Sequence, residues 1–409
     1  MRAKFFYGWV IALASGVGLA FGIATFVAAT FPIFVGPISK EFSWSQGDAF
    51  NAPLVITLAL VLSATWTGGL VDRLGPRKVI LWAFVAEAVV VASFYFQGAS
   101  PYSFYLRYFL LGTLALGTTH IAFARLVSLW FDRRRGMALG VALTGVGVGG
   151  IALPIVSQLL IQSVGWRNAY LWLAGALLVF TLPFLALLVR DSPQSMGLTV
   201  DGLPASSHDS SSATGGRTLH AAVRGGLFWW MLLAVLLIGI GIQSVMLHMK
   251  PLLETRGMSA MGSTYGQSAI FVGLVAGRLL AGWLMDRFFA PRVALGFLVS
   301  ALAGIVLLES GASGALAYLA ALLVGLSSGG EVDVIAYLAG RYYGLLQFSR
   351  IYSIFYALYS LGGGIGPRIT ASLVDQSGNY SSALVLDFGL LFVAGLMLLR
   401  FPAFPPPER

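Results

Sequence analysis

The stretch GGLVDRLGPRKVI, residues 68–80, is a short charged turn between two long apolar runs. Its near copy is GWLMDRFFAPRVAL, in which Asp286 stands 214 positions after Asp72. A second pair of segments repeats at almost the same spacing, because GVGGIALP ends at Pro154 and LGGGIGP ends at Pro367, 213 positions later. Two separate matches with nearly one offset predict that the chain consists of two related halves.

Composition places the chain in a membrane. Hydrophobic residues make up 58% of the sequence and charged residues 10%, with a mean hydropathy of +0.85, which lies outside the range of soluble domains. A helix needs roughly 20 apolar residues to cross a hydrocarbon core about 30 Å thick. Twelve stretches meet that length and predict an all-α membrane protein of two pseudo-symmetric six-helix bundles. Their approximate bounds are 8–36, 51–71, 77–98, 103–130, 136–163, 167–189, 226–250, 262–285, 291–310, 314–341, 350–375 and 379–401.

Basic residues set the predicted orientation, because cytoplasmic loops carry an excess of Lys and Arg. With these spans, one side of the membrane holds most basic residues, and the other holds only Lys40, Arg167, Lys250 and Arg256. We expect a multi-pass protein of the cell (inner) membrane with both termini in the cytoplasm. The net charge of +9 is spread over short loops, so no nucleic-acid partner is expected.

A polar tract that contains SSHDSSSATGG joins the two halves and has the composition of a linker. We therefore predict an N-terminal bundle at 1–189, a cytoplasmic linker at 190–225 and a C-terminal bundle at 226–409. The fifty glycines, many in spaced runs, favour close contact between helices in lipid.

Enzyme and cofactor chemistry find no support in the sequence. The chain has no cysteine and four histidines, which excludes disulfides and thiolate catalysis and makes no convincing metal centre. It also has no GxSxG elbow, no HExxH and no P-loop. We expect no enzyme activity, no metal and no cofactor.

The charged turn resembles the GxxxDRxGxRK signature of the major facilitator superfamily. Its first copy supplies Gly68, Asp72, Arg73, Gly75, Arg77 and Lys78, and the second keeps Gly282, Asp286, Arg287 and Arg292. The resemblance implies a cytoplasmic latch, in which the Asp72 carboxylate faces helix N-termini and arginines and stabilises one conformational state. An ordinary charged loop is the alternative.

Within that superfamily, the chain resembles the monocarboxylate porter and oxalate/formate antiporter group over nearly its whole length. The resemblance is carried by Tyr7–Gly8–Trp9 at the start of the first span, by WFDRRRGMALGVALTGVG from Trp130, and by SPQSMGLTVDG at the start of the linker. It implies a monomeric carrier of small organic acids, driven by a proton or exchange gradient. A carrier of a cationic or neutral molecule by proton antiport and a nontransporting receptor of the same fold are the alternatives.

Arg278 is the predicted substrate anchor, because it lies inside the apolar run IFVGLVAGRLLAGWL. A charge in a bilayer costs from about 3 to 10 kcal/mol or more, so it implies a partner or a wet cavity. The resemblance implies that this arginine contacts the substrate carboxylate. A structural ion pair is the alternative, since Glu331 and Asp333 lie at a similar depth in SSGGEVDVIAYL. Residues two apart on a helix point about 200° apart, so both acids cannot face Arg278 equally. We predict that protonation of the paired carboxylate frees Arg278 for substrate, which couples transport to protons by competition for one cation.

Further candidates come from aromatic and polar residues inside the spans. Tyr359 stands where the oxalate carrier has a lysine, which favours a monocarboxylate over a dicarboxylate. An apolar substrate tail would suit Phe26, Phe355, Tyr356 and Tyr359, although such aromatics are more often core residues. Thr119 and His120 lie near the depth of Glu87 and are predicted to bind substrate or relay a proton. A buried pair of Glu87 and His120 that holds two helices together is the equal alternative.

His248, in HMKPLLETRG at the outer end of the seventh span, is a predicted outer-gate residue.

Overall fold

The computed structural model describes residues 6–131, 134–202, 218–285, 287–344 and 347–404, with side chains at all of these except positions 64, 65, 72, 135, 136, 202, 332, 333, 348 and 349. These residues form helices joined by short loops. The helices are α1 (Gly8–Phe21), α2 (Ile23–Phe42), α3 (Gln46–Leu74), α4 (Pro76–Ser93), α5 (Pro101–Leu114), α6 (His120–Trp130), α7 (Arg135–Ala176), α8 (Leu182–Leu188), α9 (Leu219–Val223), α10 (Gly226–Thr255), α11 (Ala260–Met285), α12 (Ala290–Glu309), α13 (Ala315–Tyr343), α14 (Phe348–Ser377) and α15 (Ser381–Leu399).

Each of the twelve predicted stretches lies over one or two of these helices. The first stretch is covered by α1 and α2, the fourth by α5 and α6, and the fifth and sixth by α7 and α8. In the described part of the chain, nine helices are long and apolar enough to cross a membrane, and Met137–Leu188 counts as one of them. The all-α membrane fold is confirmed, and the number of twelve crossings stays a prediction.

Residue contacts divide the chain into two compact units. Unit 1 comprises Met1–Ser43 and Leu58–His208, and unit 2 comprises Trp44–Thr57 and Asp209–Arg409. The start of α3 therefore packs within unit 2, whereas the rest of that helix belongs to unit 1. The predicted boundaries of bundles and linker stay a prediction, because positions 203–217 lie outside the described residues.

Unit 1 contains two interruptions that fall inside predicted spans and touch each other. Gly22, between α1 and α2, has extended backbone angles (φ −66°, ψ 156°). The turn Leu116–Thr118 separates α5 from α6. A Cβ added at Gly22 would lie 2.2 Å from the Thr118 carbonyl oxygen. Position 22 therefore needs glycine, because any side chain there would collide with backbone.

A third interruption separates the fifth predicted stretch from the sixth. Gly165, inside α7, has φ 78° and ψ 161°, a backbone conformation that is essentially restricted to glycine. The two parts of α7, 135–164 and 166–176, are thus two helices that change direction at Gly165.

Glycines also bring helices into backbone contact within each unit. In unit 1, α7 meets α1 at Gly145 and Gly149, where an added Cβ would lie 1.8 Å from the Gly16 oxygen and 2.1 Å from the Ala20 oxygen. In unit 2, Gly362 of α14 stands 213 positions after Gly149 in the repeated motif. A Cβ there would lie 2.9 Å from backbone atoms of α10. The repeated motif therefore makes the same kind of contact in both units.

We predict that Gly149→Ala destabilises the protein, because the new Cβ would lie 2.1 Å from a backbone oxygen of α1, and overpacking of this kind costs about 1–3 kcal/mol. The measurement is the melting temperature of the purified protein. Gly140→Ala is the matched control on the same helix, since nothing lies within 4 Å of a Cβ at that position. Equal melting temperatures for the two variants would show that the α1–α7 contact is not close.

Candidate functional site

The predicted substrate anchor, Arg278, is half-buried on α11 in unit 2. Glycines set the position of this helix, because a Cβ at Gly273 or Gly277 would lie 2.1 Å or 2.0 Å from carbonyl oxygens of α13. Small residues let helices approach this closely in lipid. Since consecutive residues are about 100° apart around a helix, Arg278 stands at the edge of the α11–α13 contact.

Glu331 lies on α13, on the face of that helix turned away from α11, and is 2% exposed. Its Oε1 accepts a hydrogen bond from the Ser327 hydroxyl, one turn earlier on the same helix. Its Oε2 is buried and has no hydrogen-bond partner among the described residues. Within that part of the chain, Glu331 and Arg278 form no ion pair. The side chain of Asp333, the second predicted coupling acid, lies outside the described residues.

α14 contributes aromatic side chains to the same region. Tyr356 is close enough to Arg278 for their charges to interact, and Tyr359 is similarly close to Glu331. The Tyr359 hydroxyl is buried near Ser328 and Gln243, but it reaches hydrogen-bond geometry with no described residue. Tyr356 and Tyr359, three residues apart on α14, thus connect the neighbourhood of Arg278 with that of Glu331 within unit 2, and we call these four residues the Arg278 cluster.

Phe355 belongs to the core of unit 2 and lies one helical turn before Tyr359 on α14. It is fully buried, and its ring packs 5.1 Å from the Phe228 ring of α10 and 6.2 Å from the Tyr343 ring of α13. Its position on α14 is one residue before Tyr356, so its side chain points about 100° away. Its predicted contact with substrate stays a prediction.

A small cavity adjoins Glu331 on its other side. Its volume is about 20 Å³, which is enough for one water molecule. Apart from Glu331, its lining is apolar and comes from α10, α12, α13, α15 and Phe401. The Glu331 carboxyl group therefore has apolar surroundings on this side.

The remaining predicted substrate residues lie in unit 1. Phe26, on α2, is 3% exposed. Thr119 is also buried, and its hydroxyl donates to the carbonyl oxygen of Leu116. His120 is the first residue of α6 and is half-buried. These three residues flank the two helix interruptions of unit 1.

Glu87 of α4 meets the same interruptions and is fully buried. Thr118 Oγ1 lies 2.8 Å from Glu87 Oε2 and 2.8 Å from the Ala115 carbonyl oxygen. The same hydroxyl accepts a hydrogen bond from the backbone N–H of Ile23 at 2.9 Å. Glu87 Oε1 is buried and has no hydrogen-bond partner in the described part of the chain. A carboxyl group therefore connects to both interruptions through one threonine.

The predicted latch is described only in part. Asp286 and the side chain of Asp72 lie outside the described residues. Gly75 has φ 83°, and a Cβ there would lie 2.9 Å from an oxygen of Asp191. The same oxygen accepts from the backbone N–H of Arg77 at 3.0 Å. Asp191 thus caps the start of α4, where a carboxylate is favourable.

The other latch residues make local contacts or none. The Arg77 guanidinium donates to the Ala186 carbonyl oxygen, while Arg73 and Lys78 are exposed. Arg287 lies 4.1 Å over the Trp283 ring, and a Cβ at Gly68 would meet nothing within 4 Å. The latch itself stays a prediction.

The predicted outer-gate residue, His248, is 1% exposed in unit 2. Its Nε2 lies 2.9 Å from the Pro367 carbonyl oxygen and its Nδ1 3.2 Å from the Tyr380 hydroxyl. A carbonyl oxygen only accepts, so Nε2 carries the proton and Tyr380 donates to Nδ1. The Phe50 ring of α3 stacks on the imidazole at 3.8 Å. Burial holds the pKa of Tyr380 above its ordinary value, so the hydroxyl keeps its proton.

The start of α3 is bound to α14 next to this histidine. The backbone N–H groups of Gln46 and Gly47 donate to the two carboxylate oxygens of Asp375 at 2.9 and 2.7 Å. The Arg368 guanidinium donates to the Asn51 side chain at 2.7 Å. With His248, these contacts form what we call the outer cluster of unit 2.

Asp387 is a buried acid that the sequence reasoning missed. It lies on α15, is 2% exposed and stands near Ser244 of α10. The signal was present, because Asp387 is the only charged residue in the 19-residue α15 sequence SSALVLDFGLLFVAGLMLL. Asp191 and Asp375 were also missed, and both are polar residues in loops or helix ends that a periodicity argument passes over.

Comparisons with known proteins agree with this architecture. A family model described as Major Facilitator Superfamily matches residues 16–344. Monocarboxylate transporter 11 of Homo sapiens is 27% identical over an alignment of 411 positions, which covers 97% of this chain and 83% of that protein.

Solved structures share the fold at low sequence identity. The nucleoside transporter NupG superposes with a TM-score of 0.77 at 12% identity, covering 96% of this chain and 99% of that one. A D-xylose-proton symporter superposes with a TM-score of 0.73 at 16% identity, covering 97% and 98%. The match of the family model over most of the sequence, together with these folds, means that the chain belongs to the Major Facilitator Superfamily and is a multi-pass membrane transporter, not an enzyme.

Proposed function

We propose that the chain is a secondary active transporter that moves a small organic anion by alternating access with proton coupling, and that the anion is a monocarboxylate. The observation that carries this proposal is the half-buried Arg278 inside the apolar helix α11. A guanidinium at this depth costs several kcal/mol unless it meets an anion or water. A substrate carboxylate would meet that need at each transport cycle.

The chemistry of arginine fits a carboxylate substrate. Its planar guanidinium can donate two parallel hydrogen bonds to the two carboxylate oxygens, and it stays protonated at any physiological pH. Tyr356 and Tyr359 lie beside the Arg278 cluster's charged groups and offer aromatic surface to an aliphatic or aromatic tail. Because position 359 is a tyrosine, this part of α14 supplies no second cation for a dicarboxylate.

Proton coupling is assigned to Glu331 and Asp333. Glu331 is nearly fully buried and has one unpartnered carboxylate oxygen in the described part of the chain. An ionised carboxylate in such a place is costly, so a proton or a cation stabilises it. We infer that protonation of the acid near Arg278 releases the guanidinium for substrate, so that proton and anion bind together.

A second candidate function is the transport of a cationic or neutral molecule by proton antiport. The unpartnered Oε2 of Glu331 favours it, since a substrate amine or hydroxyl could donate to that oxygen. Several relatives that cover 97% of this chain carry the name monocarboxylate transporter, which supports the anion. The nucleoside and xylose transporters share the fold alone.

The proposed setting is the cell membrane, with both termini in the cytoplasm and the transporter acting as a monomer. The positive-inside distribution of Lys and Arg supports this orientation.

In liposomes, we expect uptake of radiolabelled lactate, pyruvate or a longer monocarboxylate under an inward proton gradient. Uptake by Arg278→Ala should be at least tenfold lower. Arg278→Lys keeps the positive charge but loses the planar guanidinium that binds both carboxylate oxygens, so it should retain only part of the uptake. Arg400→Ala is the control, because Arg400 is an exposed arginine at the end of α15.

Two results would overturn the anion proposal. One is Arg278→Ala uptake equal to that of the parent protein. The other is a parent protein that moves no monocarboxylate but moves an amine or a neutral solute, which would favour the second candidate function.

We predict that Glu331→Gln retains exchange of labelled for unlabelled substrate but loses accumulation driven by the proton gradient, because the amide cannot bind or release a proton. The same pair of assays on Ser327→Ala gives a control that keeps the carboxyl group and removes its hydrogen-bond donor. Gradient-driven accumulation that survives in both Glu331→Gln and Asp333→Asn would contradict the assigned coupling.

For the outer cluster, we predict that loss of the His248 ring opens the surrounding packing. The chain has no cysteine, so Ala49→Cys, at a position 1% exposed, gives a single reporter. A membrane-impermeant maleimide should label this cysteine severalfold faster after His248→Ala. Gln376→Cys, at an exposed position, should label at one rate in both backgrounds. Unchanged labelling of Ala49→Cys would mean that His248 does not close this region.

A further inference from the structure

The hydroxyl group of Thr118 makes more contacts than its hydrogen can serve if Glu87 is ionised. Thr118 Oγ1 has the Ile23 N–H at 2.9 Å, the Ala115 carbonyl oxygen at 2.8 Å and Glu87 Oε2 at 2.8 Å. The Ile23 N–H can only donate, and the Ala115 oxygen can only accept. A hydroxyl has one hydrogen and two lone pairs. An ionised Glu87 would therefore compete with Ala115 for that single hydrogen.

A proton on Glu87 satisfies every contact at once. The Glu87 O–H then donates to one Thr118 lone pair, the Ile23 N–H donates to the other, and the Thr118 O–H donates to the Ala115 carbonyl oxygen. The remaining carboxyl oxygen, Oε1, is the buried atom with no hydrogen-bond partner among the described residues. An unpartnered carbonyl oxygen costs less than an unpartnered carboxylate oxygen in a buried place.

Among the described residues, no cationic side chain forms an ion pair with Glu87 that would compensate its ionised form. The exposure of Glu87 is 0%. Two neighbouring arginines have other partners, since Arg107 bonds Gln97 and Arg167 bonds Glu41. Among the described side chains, the titratable ones on the elements packed against α4 are Tyr95, Tyr102, Tyr105, Arg107, Tyr108, His120, Arg125, Arg167 and Tyr170.

We propose that Glu87 is a proton-binding site in unit 1, that it is occupied at neutral pH, and that its proton joins the two helix interruptions at Gly22 and at Leu116–Thr118. The neutral carboxyl group lets Thr118 hold the start of α2 through Ile23 and the end of α5 through Ala115. Removal of the proton makes Thr118 abandon one of its two acceptors. The hydrogen bonds at the two interruptions then rearrange, because either Ala115 or Glu87 loses its hydrogen bond with Thr118.

This site is distinct from the Arg278 cluster, which lies in unit 2. It also does not depend on the identity of the substrate, because every group in it belongs to the chain. If Glu87 releases its proton during transport, the interruption at Gly22 is the place in unit 1 where that release would act on helix geometry.

Infrared spectroscopy of the purified protein in lipid at neutral pH tests the proposal. The carbonyl stretch of a neutral carboxylic acid separates from the bands of an ionised carboxylate. We expect Glu87→Gln to remove one carboxylic-acid band from the parent spectrum. We also expect Thr118→Val to move that band to higher frequency, since the donated hydrogen bond is lost, and Thr118→Ser to leave it in place. Asp387→Asn is the control, because it removes a buried acid of unit 2 whose band Thr118→Val should not move.

Two outcomes would overturn the proposal. If Glu87→Gln changes only carboxylate bands, Glu87 is ionised at neutral pH. If the acid band stays at one frequency in both Thr118→Val and Thr118→Ser, the proton is not donated to Thr118. The second comparison uses the native Glu87, so it decides the question even if Glu87→Gln does not fold.

Discussion

A polar group inside an apolar bundle must find a partner within the protein. Each half of the chain carries such groups. Arg278, Glu331 and Asp387 lie within helices of unit 2, and Glu87 lies within a helix of unit 1. Each of these side chains costs free energy to bury. The partners of these polar side chains, rather than the apolar residues that make up most of the bundle, indicate the function.

Glycine makes those surroundings possible in two ways. At Gly273 and Gly277 it removes side chains between α11 and α13, which brings Arg278 to the edge of the contact with the helix of Glu331. At Gly22 it allows an extended residue between two helices, and the backbone groups freed there are met by Thr118. The first use sets how closely the backbones of α11 and α13 approach. The second creates a bend whose hydrogen bonds include a carboxyl group.

The sequence predicted the helices well because their signal is length and apolarity, which a bilayer imposes on every span. The helix interruptions were harder to predict, since α1 and α2 together read as one apolar run and only the extended backbone of Gly22 divides them. Arg278 and Glu331 were found because a charge inside an apolar run stands out. Asp387 stood out equally and was missed. Asp191 and the contacts of Asp375 with α3 depend on tertiary packing, which no local pattern contains.

The proposed function requires that the Arg278 cluster recognises a carboxylate. The most direct measurement is the melting temperature of the purified protein in the presence of a monocarboxylate and, separately, of its uncharged amide, because a ligand that binds the folded state raises stability in proportion to its affinity. We expect the carboxylate to raise the melting temperature and the amide to raise it little or not at all. In Arg278→Ala, the carboxylate should no longer raise the melting temperature. An equal rise with acid and amide, or a rise that persists in Arg278→Ala, would contradict the proposed recognition.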